Sequence, residues 1–245
     1  MARDNIPNAG PYQTPEFTPP PPDLMGYWPL NDGTGTTPVD ISTVTNHASF
    51  VNGTPTWTTG LGGNGALTFD GSTGFLSIPD QADYDNVTQF TVTAWVNPSN
   101  FPGNMSILSK DSPTPNQRML YFGLNSSGNL HLFGSSDGTN PSFNLFSVSS
   151  VPTSTWTHVA ATWDGSDIKV YINGILDGSL SYTGSLHESL AGIQIGGKYL
   201  NFSSSPTYFF DGSIMEVRLY RRGLSPTEVN QIYDEMAPFE NIVDF

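Results

Sequence analysis

Residues 155–174 read TWTHVAATWDGSDIKVYING, and this stretch constrains the fold more than any other. Thr157 to Thr162 reads as a strand, Asp164-Gly165 starts a turn, and Ile168, Val170 and Ile172 fall on one side of the next strand. Asn173-Gly174 follows, the dipeptide that best accepts positive φ in a two-residue hairpin loop. Alternation with period two, punctuated in this way, specifies antiparallel strands joined by tight turns. Trp156 and Trp163 are expected to bury large apolar area while their indole N–H groups find acceptors. His158, beside a core strand, is read as structural.

The same grammar runs from Leu24 to about Tyr220. Phe90, Val92, Ala94 and Val96 alternate onto one face. Leu67-Thr68-Phe69 leads through Asp70-Gly71 into Phe75-Leu76-Ser77-Ile78, and Leu120 to Leu124 leads through Ser127-Gly128-Asn129 into Leu130 to Phe133. Turn signals recurring about every ten residues indicate a sandwich or barrel, and no stretch reads as a βαβ crossover. A chain of 245 residues suffices for one large all-β domain or two small ones. One helix is expected near the end. Ser225-Pro226-Thr227-Glu228 is a capping box with proline at the first helical position, and Val229, Ile232 and Tyr233 form its apolar side. Pro238 stops it near Met236.

The organisation expected is therefore an arm over 1–23, a sandwich over 24–236 and a tail over 237–245. Residues 1–23 hold seven of the twenty prolines, at Pro7, Pro11, Pro15 and Pro19 through Pro22. That spacing favours extended polyproline geometry with little to bury. We read the segment as a docking arm whose partner contacts are Pro7, Pro11, Pro15, Pro19 and Phe17, with Phe245 of the apolar tail in the same role.

Charge narrows the partners. Charged residues are only 12% of the chain and the net charge is −14 with eight Lys and Arg, so nucleic acid and anionic lipid surfaces are disfavoured. There is no cysteine, which excludes disulfides, thiolate zinc sites and cysteine nucleophiles. The first residues lack the stretch of about 7–15 apolar residues of a secretory signal, and no apolar run has the length to cross a membrane.

Six blocks in order then make the sequence resemble the laminin G-like, concanavalin A-like lectin/glucanase superfamily. They are Gly26 to Gly35 (GYWPLNDGTG), Asp40-Ile41-Ser42, Ala66 to Gly71 (ALTFDG), Phe90 to Val96, the 155–174 stretch, and Phe210 to Ser225. The resemblance implies an all-β fold: an antiparallel two-sheet jelly-roll sandwich with a short C-terminal helix, here preceded by the proline-rich arm.

Such domains range from glycosidases to lectins and inert modules, so function rests on sites. Glycoside hydrolysis needs two carboxylates flanking the bond, and only Glu188 and Glu216 lie within the sandwich, without the E-x-D-x-x-E spacing of the hydrolytic branch. We read the chain as non-catalytic. The resemblance implies one structural calcium ion as cofactor, with Asp40 and Asp70 as its candidate ligands; the family's aspartate before Glu216 is replaced by Met215. Tyr199, Asn201, Tyr208 and Phe209, around a serine-rich loop, are the candidate glycan platform. Two readings of different class stand. The first is a bacteriophage virion surface protein, a capsid decoration or tail-associated component that is homo-oligomeric, contacts other capsid or tail subunits through its arm, and also meets host-surface glycans. Such a chain is made in the host cytoplasm and needs no signal peptide. The second is an extracellular carbohydrate-binding or adhesion module of a bacterium.

Overall fold

The computed structural model describes residues 23–112, 114–199 and 206–237. The strands, in chain order, begin with β1 (Leu24–Trp28), β2 (Ser49–Val51), β3 (Thr56–Thr59), β4 (Gly65–Asp70), β5 (Phe75–Ile78) and β6 (Phe90–Pro98). They continue with β7 (Met105–Lys110), β8 (Leu120–Leu124), β9 (Asn129–Gly134), β10 (Phe143–Ser150), β11 (Thr157–Trp163) and β12 (Asp167–Ile172). The last are β13 (Ile175–Ser181), β14 (Ile193–Ile195), β15 (Lys198–Tyr199), β16 (Pro206–Thr207) and β17 (Asp211–Tyr220), followed by helix α1 (Pro226–Asp234).

Two antiparallel sheets stack face to face. One has the order β13-β12-β11-β6-β17-β4-β3, with β1 also paired to β17; the other has the order β10-β9-β8-β7-β14-β5-β2. The first and last strands are thus neighbours, with Leu24 opposite Tyr220 and Trp28 opposite Val217. Between the sheets lies one apolar core built from alternate positions, including Phe90, Val92, Ala94 and Val96 of β6 and Leu120, Phe122 and Leu124 of β8.

The 155–174 hairpin forms as its residues dictate. Asp164 accepts from the backbone N–H groups of Ser166 and Asp167 at 2.9 and 2.8 Å, and Gly165 takes φ +93°. Asn173 and Gly174 take φ +48° and +74° and join β12 to β13. The Trp163 indole is buried and donates to the Tyr182 carbonyl at 3.1 Å, whereas Trp156 is only half-buried.

Alternation alone leaves the second face of β6 to solvent, yet Thr91, Thr93 and Trp95 are buried too. The cause is α1. Ser225 and Glu228 close the capping box, and Tyr233 stacks on Trp95 with ring centroids 5.8 Å apart and 20° from parallel. The Thr91 hydroxyl donates to the Arg222 carbonyl and accepts from the Leu224 N–H, which ties the lead-in of the helix to the sheet. His158, fully buried, packs beside that stack, 5.5 Å from Trp95 and 6.1 Å from Tyr233. The eight-stranded sheet therefore has both faces buried along its middle strands. The outer face of the seven-stranded sheet is buried over its middle as well, at Tyr121, Ser109 and Gln194, and opens to solvent at the β10 edge, at Asn144, Phe146 and Val148.

Candidate functional site

Register assembles this outer face into rows that cross the strands. One row takes a residue from each of seven strands: Asn144, Phe133, Tyr121, Ser109, Gln194, Ser77 and Ser49. Its neighbour runs Phe146, His131, Gly123 and Ser106. Rings fill the β10–β9–β8 end of the face, and hydroxyls and an amide fill the rest.

At the open end the His131 ring stacks on Phe146, centroids 4.2 Å apart and 20° from parallel. Phe146 is 42% exposed, and Asn144 and Val148, on the same side of β10, are exposed as well. Behind this ledge Tyr121 stacks on Phe133 at 4.9 Å and meets the edge of His131 at 5.2 Å. The Tyr121 hydroxyl donates to the Met105 carbonyl at 3.0 Å. Its phenol lies across Gly123, where a Cβ would fall 2.2 Å from the Met105 carbonyl oxygen and 2.5 Å from the Tyr121 hydroxyl. Only glycine permits that packing.

Against the rings lies a buried ion pair. Lys198 Nζ lies 2.5 Å from Asp111 Oδ2, and both side chains are sealed from solvent. The ammonium sits 4.8 Å from the Phe133 centroid and 5.4 Å from that of Tyr121, within cation–π range. Burial lowers the Lys198 pKa and the Asp111 carboxylate opposes that shift. Arg118 approaches the same carboxylate oxygen at 3.4 Å and donates to the Thr139 carbonyl at 2.9 Å. Burial also holds the His131 pKa below its ordinary value, the Asn144 hydrogen bond opposes this, and the Lys198 charge adds to it. The neutral ring with Nε2 protonated donates to Asn144 Oδ1 at 2.7 Å, leaving the amide N–H₂ group for another acceptor. A flat exposed ring stack beside an amide suits a ligand with apolar C–H faces and hydroxyl edges.

The four residues read as one glycan platform are divided by the structure. Tyr199 and Phe209 are half-buried against Phe75, at 5.5 and 6.4 Å between centroids. Tyr208, also half-buried, meets the edge of Tyr121 at 5.8 Å and borders the ledge. Asn201 lies outside the described residues, as do Pro7, Pro11, Pro15, Phe17, Pro19 and Phe245. The residues that make the ledge, Phe146, His131 and Asn144, are not among those that the sequence pattern marks as a binding site.

Asp40 and Asp70 do not fit a cation. Asp40 is buried and accepts four hydrogen bonds, from the N–H groups of Tyr27, Ser42 and Asn46 and from the Ser42 hydroxyl, all between 2.8 and 3.0 Å. Those donors would face any ion placed on its oxygens. Asp70 accepts from Ser72 N–H, Thr73 N–H and the Thr73 hydroxyl, which hold its carboxyl well below the usual range, the Thr73 hydroxyl most of all. Both carboxylates build turns. Among the described residues no three His, Asp or Glu side chains gather as a metal set. Glu216 accepts from the Tyr27 hydroxyl at 2.5 Å and pairs with Arg218 at 3.0 Å, whereas Glu188 is exposed in the loop before β14. The two glutamates share no partner among the described residues.

A family model described as the concanavalin A-like lectin/glucanases superfamily, of the third laminin G type, matches residues 70–230. Among solved structures, domain 4 of an extracellular arabinanase from Geobacillus stearothermophilus, solved with arabinotriose, is similar at 21% identity and TM-score 0.65, covering 86% of this chain and 98% of that one. The binding domain of Paraclostridial mosquitocidal protein 1 gives 12% identity and TM-score 0.68, with 87% of this chain and 52% of that one covered. The binding domain of botulinum neurotoxin serotype G gives 15% and 0.68, with 91% and 53% covered. The chain thus spans about half of each toxin domain, and at these identities the likeness is one of fold. No curated protein matches the chain in sequence.

Proposed function

The chain belongs to the concanavalin A-like lectin/glucanase superfamily, and on that footing we propose that it is a non-catalytic glycan-binding module whose ligand lies on the Phe146–His131 ledge. The observation that carries the reading is the exposed ring stack beside the Asn144 amide, at the open β10 edge of the seven-stranded sheet. Phe146 offers a ring face to the C–H side of a sugar, Asn144 offers a donor to its hydroxyls, and Tyr208 borders the ledge. The arabinanase domain solved with arabinotriose lends support from a fold relative. A glycan array with the intact protein tests the reading: specific hits lost in Phe146→Ala and in His131→Ala support it, and hits that survive both variants move the site elsewhere.

The setting we propose is a virion surface, capsid or tail, with copies held through the arm of residues 1–23 and the ledge turned toward host glycans. One observation bears on where such an arm would leave the domain. Asp23 is held where the arm ends, by an ion pair with Arg222 and by its carbonyl accepting from Arg221 N–H at 2.8 Å. An arm over 1–23 would thus join the domain at the eight-stranded sheet, and the ledge lies on the other. Deleting residues 2–23 should abolish association with purified particles while leaving the β-sheet circular dichroism unchanged. Particle binding by the truncated chain would remove the arm from this role and favour the extracellular bacterial module.

A further inference from the structure

We infer that the ledge takes a neutral glycan and discriminates against glycans carrying carboxylate or sulfate, an inference that rests on the glycan-binding reading above. Neither row that makes up the face contains an Asp, Glu, Lys or Arg: Asn144, Phe133, Tyr121, Ser109, Gln194, Ser77 and Ser49 form one, Phe146, His131, Gly123 and Ser106 the other.

Cations that could serve an acidic ligand are already committed. Among the described residues Lys110, Arg118, Lys169, Lys198, Arg218 and Arg222 are each within 4.0 Å of a carboxylate, and Arg221 donates to the carbonyls of Ala82 and Asp83. The two cations nearest the ledge share Asp111. Lys198 is 1% exposed and already paired with Asp111, so it is out of reach of a ligand carboxylate. Arg118 divides its guanidinium between Asp111 and the Thr139 carbonyl. An anion of a ligand held on the ledge would thus give up hydration without gaining a free cationic partner. The net charge of −14 opposes anionic chains further. A neutral sugar meets neither obstacle, since ring stacking and amide hydrogen bonds need no ion pair.

The test is an array of matched pairs, neutral oligosaccharides beside their uronic, sialylated or sulfated counterparts. Titration of the best pair at about 50 and 500 mM NaCl follows, where screening lengths differ severalfold. The expected result is a neutral ligand whose Kd changes less than about twofold with salt, and an acidic counterpart at least about tenfold weaker. Val148→Lys, which adds one uncommitted cation at an exposed position on the same side of β10 and keeps the Asn144 amide, should strengthen acidic binding and make it salt-dependent. An acidic member binding as tightly as its neutral counterpart overturns the inference and leaves the glycan reading standing. A blank array overturns the glycan reading itself.

Discussion

The imidazole of His131 and the phenyl ring of Phe146 face each other across β9 and β10 at 4.2 Å. An aromatic ring left 42% exposed on a regular strand gains no folding stability on its outer side, so its loss is expected to touch binding far more than stability. Phe146→Ala should weaken glycan binding at least about tenfold while lowering unfolding free energy by less than about 1.5 kcal/mol. Titration calorimetry and denaturant melts on the same preparation check both. Equal losses in the two would make Phe146 a packing residue.

His158 makes stability fall in mild acid. Burial first, and then the charge of Arg218, lower its pKa from 6.5 to about 3 in the folded chain. Above 6.5 both folded and unfolded chains hold it neutral. Between 6.5 and 3 the unfolded chain takes up a proton that the folded chain refuses, so stability drops as pH falls, by up to about 1.4 kcal/mol per unit. Glu228, held at about 2 chiefly by Arg222, loses its contribution only below its ordinary 4.5. Between 6.5 and 4.5 His131 adds in the same sense as His158, while Asp85, its carboxyl raised chiefly by burial, works against them. Neither ring nitrogen of His158 has a hydrogen-bond partner among the described residues. His158→Leu should flatten the slope of urea-unfolding free energy against pH, and an unchanged slope would assign it elsewhere.

Asp40 organises the chain between β1 and β2 through four accepted hydrogen bonds. Asp40→Ala strands buried N–H donors and is expected to cost about 3 kcal/mol or more. Because the carboxylate is engaged by donors, a chelator should leave the thermal midpoint unchanged. A midpoint lowered by chelator and restored by calcium would show that an ion binds the folded state after all.

Lys198 and Asp111 form the buried pair against the rings. Lys198→Met leaves Asp111 with the more distant Arg118 as its one cation among the described residues, beside the Ser112 N–H, and should cost about 3–5 kcal/mol, whereas combining Lys198→Met with Asp111→Leu recovers much of that by removing both buried charges. A double-mutant cycle by chemical denaturation measures the coupling. Additive effects would mean that the two side chains act independently.

The fold is legible in the sequence because its signals are local. Asn173-Gly174 and Asp164-Gly165 announce their turns through backbone preference alone, and the Ser225–Glu228 box announces the helix. The burial of Thr91, Thr93 and Trp95 is not legible, since it depends on where α1 lands. The ledge is hidden for a related reason: Phe146, His131 and Tyr121 come from three strands and meet only through register. One clue lies in FNLFSVSS, where Phe143 and Leu145 occupy the inward parity, so Phe146 and Val148 must point out. Aromatic clustering instead draws attention to Tyr199, Tyr208 and Phe209, and composition does not distinguish a ring that packs under its neighbours from one that faces solvent.

The exposed ring stack lies at one edge of one sheet, on the far side of the core from the helix. Each copy offers its ledge in a single direction, and a contact of two rings and an amide grips weakly by itself. Copies fixed to a common support, helix side down, would bring every ledge into one plane, and their combined avidity would exceed that of any one by orders of magnitude without a further contact.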